Sequence, residues 1–62
     1  MCESTVYIEE KGKQSEFMKD VAKIEITSKE IICYDIIGEK RNIPNGRLKL
    51  ADLMNHKIII QK

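Results

Sequence analysis

A chain of 62 residues and 7.2 kDa holds one small domain and has no room for two lobes with a cleft between them. Eleven Lys/Arg against ten Asp/Glu give a net charge of +1, so the basic excess usual in nucleic-acid-binding domains is missing. No apolar run is long enough to span a bilayer. The opening MCESTVYIEE carries acids and no apolar stretch, so no secretion leader is expected and the protein is placed in the cytoplasm.

Of the hydrophobic residues, eleven are Ile, which favours strands over helices. Residues 2–9 alternate, with Cys2, Ser4, Val6 and Ile8 on the inner side, and predict a half-buried strand. Lys11-Gly12-Lys13 is a turn, and residues 15–18 begin a short strand. Residues 20–27 alternate again, with Ala22, Ile24 and Ile26 inward. A helix competes there, because Phe17, Val21 and Ile24 stand at helical spacing, but the strand pattern fits more of the window.

After a turn at Ser28-Lys29-Glu30, residues 31–37 are apolar on both faces, interrupted by Asp35. Such a strand needs cover twice, from a closed barrel or a second subunit. Gly38-Glu39-Lys40-Arg41 reads as a charged loop and Ile43-Pro44-Asn45-Gly46 as a turn. A further strand starts at Leu48 and Leu50 and runs to Leu53 or Met54. Asn55-His56 is a two-residue hairpin turn, and residues 58–61 return beside it. The expectation is an all-β domain over residues 1–62: a small curled sheet or barrel of five to six short strands, SH3-like or Sm-like. A homodimer is expected as well, since Ile59 lies opposite Ile58 and Ile60 and would need cover.

Few residues offer chemistry. Cys2 and Cys33 do not make a disulfide framework, and a reducing compartment keeps both as thiols. Cys33, mid-strand between Ile32 and Tyr34, reads as a buried, inert thiol. His56 is a metal ligand or acid–base group on one reading, and a turn residue chosen for its backbone on the other. Glu39, Lys40 and Arg41 could hold a phosphate or RNA backbone, or form a solvated loop. Cys2 differs from these. If Met1 is removed, its α-amine and thiolate form an N,S chelate, and a deprotonated amide adds another donor. Mixed N/S donors suit Ni(II) or Cu(II) rather than Ca or Mg.

Four segments in order resemble the CooT family over nearly the whole chain: Met1-Cys2-Glu3-Ser4-Thr5-Val6-Tyr7, Met18-Lys19-Asp20-Val21, Asp35-Ile36-Ile37-Gly38-Glu39 and Asp52-Leu53-Met54-Asn55-His56-Lys57-Ile58. The resemblance implies a small β-barrel homodimer that binds Ni(II) through the cysteine after the initiator Met, here Cys2. It implies a non-enzymatic accessory role in nickel delivery to carbon monoxide dehydrogenase. Relatives have also been described as RNA-binding, which makes a small RNA-binding module with basic loop residues the alternative.

Overall fold

The computed structural model describes residues 3–62. Six strands follow one another: β1 (Ser4–Glu10), β2 (Lys13–Ile26), β3 (Glu30–Asp35), β4 (Lys40–Pro44), β5 (Arg47–Asp52) and β6 (Lys57–Gln61). They form a single curled sheet in the order β4-β3-β2-β1-β6-β5, with β4 and β5 left as edges, so the sheet curls without closing. Among the described residues there is no helix. The all-β expectation therefore holds, and the helical spacing of Phe17, Val21 and Ile24 goes unused.

The curl originates in β2, which joins the two short strands expected at 15–18 and 20–27. Its first part pairs with β1, from Glu10↔Lys13 to Ser4↔Val21, and its second part pairs with β3, from Val21↔Asp35 to Ile26↔Ile31. Between the two parts Asp20 takes a φ of 57°, which is uncommon for a residue with a side chain. The register slips between Val21 and Lys23. One irregular residue reverses the side-chain parity of a strand. Val21 is therefore buried and Ala22, expected inward, is exposed; beyond the slip Ile24 packs against the core as expected, and Ile26, opposite Ile31 at the strand end, is exposed.

The outer pairings are less local. β6 runs parallel to β1, with Thr5↔Lys57 through Glu9↔Gln61, and joins the two ends of the chain. β5 pairs antiparallel with β6, from Arg47↔Gln61 to Asp52↔Lys57. The segment read as a charged loop and a turn is partly strand: Lys40 to Pro44 pair with β3, and Ile43 is fully buried. The strand expected to reach Ile37 stops at Asp35. Ile36 and Ile37 instead form an exposed hairpin tip. The two-residue turn at Asn55-His56 is a four-residue connection over 53–56.

Val6, Met18, Val21, Ile31, Cys33, Ile43, Ile58 and Ile60 make up the core. Each large aliphatic among them contributes about 1.5–3 kcal/mol relative to an exposed position. Ile59, on the opposite face, is already buried within the single chain, with Tyr7 and Leu50 as its cross-strand neighbours. It needs no second subunit. The uncovered apolar residues are Ile26, Ile36, Ile37, Leu48, Leu50, Leu53 and Met54.

Candidate metal-binding end of the sheet

Cys2 lies outside the described residues. The strand that follows it enters the sheet at Ser4, between β2 and β6. The N–H of Thr5 donates to the carbonyl of His56 at 2.9 Å. This bond fastens the first strand to the connection between β5 and β6, so the N-terminal entry and residues 53–56 occupy one end of the sheet.

That connection is built around Asp52. Its carboxylate accepts from the backbone N–H of Asn55 at 3.2 Å and from the Asn55 side-chain amide at 2.9 Å. The side-chain amide, and then the backbone N–H, hold the Asp52 carboxyl below its ordinary range. His56 completes the turn with a φ of 53°, a left-handed conformation that Asn, Asp and His adopt more readily than most residues. The tip presents Leu53 at 71% and Met54 at 91% exposure.

The β3–β4 connection follows the same plan. Asp35 Oδ1 accepts from the N–H groups of Ile37 and Glu39 at 3.1 and 2.9 Å, and Gly38 takes a φ of 92°. An aspartate thus opens each turn, two apolar residues form each tip, and Gly or Asn follows: Asp35-Ile36-Ile37-Gly38 and Asp52-Leu53-Met54-Asn55. These apolar tips were missed in the sequence because an apolar pair beside a strand pattern reads as more strand. The Asp three residues before Gly or Asn was the available turn signal.

The remaining candidates are placed elsewhere. Cys33 is fully buried in β3, as expected; burial pushes its thiol up, and the nearby Arg41 charge partly opposes this. Arg41 donates to the carbonyl of Phe17, and its guanidinium lies 4.1 Å from the Phe17 ring centre. Lys23 covers Tyr34 at 4.3 Å, and Lys57 stands 5.5 Å from Tyr7. All three aromatic rings of the chain thus carry a cation over one face, where a base would stack on a single-strand-binding surface. The RNA alternative gains no support from this arrangement. Among the described residues no group of three or more His, Cys, Asp or Glu side chains could hold a metal ion.

The chain is a small open β-sheet of six strands, preceded in sequence by Cys2. The family model described as CO dehydrogenase accessory protein CooT matches residues 1–61, and the chain belongs to that family. It is accordingly an accessory protein and not an enzyme. A crystal structure assigned to the CooT of Carboxydothermus hydrogenoformans shares the fold with a TM-score of 0.85 at 23% identity, over 98% of this chain and 97% of that one. An uncharacterised protein of Archaeoglobus fulgidus is 36% identical over 44 residues, covering 71% of this chain and 96% of that protein. No helix of the described residues is long and apolar enough to cross a membrane.

Proposed function

We propose that this chain binds Ni(II) through Cys2 and holds it for the maturation of a nickel enzyme such as carbon monoxide dehydrogenase, acting as a cytoplasmic homodimer. The accessory family supports the client, and the chemistry of the donors supports the metal. The thiolate, the α-amine freed by removal of Met1 and a backbone amide are borderline-to-soft donors that favour nickel over harder cations.

The observation that carries the reading is the Thr5–His56 hydrogen bond. It ties β1, which follows Cys2 in sequence, to a turn whose tip exposes Leu53 and Met54. A two-fold mate seated on that apolar tip would bury it and bring both N-termini to one axis. Two Cys2 thiolates could then share one ion, supplying ligands that a single short chain lacks.

The test uses the mature chain beginning at Cys2. Added Ni(II) is expected to produce a thiolate-to-nickel absorption band that saturates at about one metal per two chains. Binding weakens as pH falls, because thiol and amine must lose protons to coordinate. Cys2→Ser removes the band and Cys33→Ser leaves it. Retention of Met1 loosens binding by blocking the amine. A Cys2→Ser chain that binds nickel as tightly as the parent overturns the reading.

A further inference from the structure

Between the β2–β3 turn and the start of β5 lies a cavity of about 420 Å³, within the range of about 300–1,000 Å³ usual for small-molecule pockets. Ser28 and Lys29 line it from the turn, and Asn45 and Arg47 from the link into β5. Ile26, 60% exposed, adds an apolar side.

The backbone around the cavity is fixed. The Thr27 hydroxyl accepts from the N–H groups of Lys29 and Glu30 at 3.2 and 3.0 Å and donates to the Glu30 carbonyl at 3.0 Å. The Asn45 N–H donates to the Lys29 carbonyl at 2.9 Å, which joins turn and link directly. Gly46 packs against Ile43 and Ile60 with no space for a Cβ. A frame tied in this way lowers the cost of ordering it around a ligand.

The side chains on that frame are unspent. Among the described residues the one ion pair is Lys49–Glu9, so neither Lys29 nor Arg47 has an acidic partner. No carboxylate lines the cavity. Glu30, next to Lys29 in sequence, instead accepts from the Asn42 amide at 2.8 Å. The larger recess beside Phe17, by contrast, is lined by as many acids as cations and balances its own charge. An ammonium, a guanidinium fork, a side-chain amide and a hydroxyl around one uncompensated cavity match a tetrahedral oxyanion, which has acceptors for all four.

We propose that this cavity binds a small phosphomonoester, with its phosphate between Lys29 and Arg47 and its less polar body against Ile26. The site uses neither Cys2 nor a metal, so it stands or falls apart from the nickel reading.

The test titrates the metal-free full chain with phenyl phosphate, inorganic phosphate and a short oligouridylate, followed by ¹⁵N NMR. Phenyl phosphate is expected to shift the amides of residues 27–29 and 45–47 and the Arg47 Nε–H to saturation. It should bind more tightly than inorganic phosphate, and Ile26→Ser should remove that preference. Lys29→Gln and Arg47→Gln change exposed side chains and keep the parent spectrum elsewhere, while each weakens binding about tenfold or more. Lys13→Gln, an exposed cation that does not line the cavity, leaves binding unchanged. Equal weakening by all three Gln variants, or shifts scattered over every lysine, would mark attraction to charge in general and overturn the proposal. Tighter binding of the oligouridylate at the same residues would overturn it too, because the surface would then be a nucleic-acid contact.

Discussion

Gly46 lies directly against Ile60. A Cβ built on Gly46 would stand 2.9 Å from Ile60 Cγ2 and 2.8 Å from Ile43 Cγ2. The link from β4 to β5 thus passes over the core with no room for a methyl group, and it is held there by the Asn45 N–H donating to the Lys29 carbonyl at 2.9 Å. Gly46→Ala is expected to cost about 1–3 kcal/mol, as overpacked cores do. A single core of this size supplies about 3–5 kcal/mol. The urea midpoint should therefore fall steeply, and an unchanged midpoint would show that β4 and β5 can move apart freely.

Acid should loosen the molecule through two carboxylates. The Lys49 and Gln14 side chains hold Glu9 below its ordinary 4.5, and Asn55 holds Asp52 below its ordinary 3.8. Both folded-state values are depressed, so each group favours folding while ionised. That contribution is complete above the ordinary values and is lost as pH falls through the lowered ones. Urea midpoints measured from pH 7 downward should hold steady to about pH 5 and then decline. Asp52→Ala should start lower and decline less. Parallel curves for parent and variant would remove Asp52 from the account.

Cys33 should behave as an interior residue. It is fully buried and its thiol is raised by that burial. Thiol reagents should modify it only at the rate at which the sheet opens, with the slowing lost in denaturant. Fast labelling of a Cys2→Ser chain under native conditions would contradict the packing.

The dimer proposed on the β5–β6 tip makes its own demand. Leu53→Ser combined with Met54→Ser changes two exposed side chains and should leave the strand content unchanged. Sedimentation equilibrium should show dissociation shifted to concentrations at least about tenfold higher. The same change at the other tip, Ile36→Ser with Ile37→Ser, should leave association intact. Equal behaviour of the two double variants would place the interface elsewhere.

Legibility in the sequence varied with locality. The alternation around Val6 and the Ile58 run were read correctly as strands with Val6, Ile58 and Ile60 inward, because a period of two is a local pattern. Cys33 was placed in the interior for the same reason. β4 was missed because Lys40, Arg41 and Asn42 precede its one buried residue, Ile43, and pairing along an edge needs no apolar alternation. In β2 the inward assignment was right for Ile24, which packs against the core opposite Cys33, and wrong for Val21 and Ala22, since nothing in the Asp20 side chain announces the left-handed backbone that shifts the parity there. The Thr5–His56 contact could not be read at all, because it joins distant parts of the chain. Cys2 was singled out by donor chemistry and family resemblance, and His56 by composition; what brings His56 beside the N-terminal strand is the fold.

The parallel pairing of β1 with β6 has a consequence for when the molecule becomes itself. During synthesis the residues around Cys2 emerge first, and the strand that must lie beside them emerges last. Closing so long a loop carries an entropic cost that later contacts must repay. A nascent chain therefore leaves the ribosome with β1 able to pair with β2 but still lacking its β6 partner. The order written into the topology is the β1–β2 hairpin early and the β1–β6 pairing last.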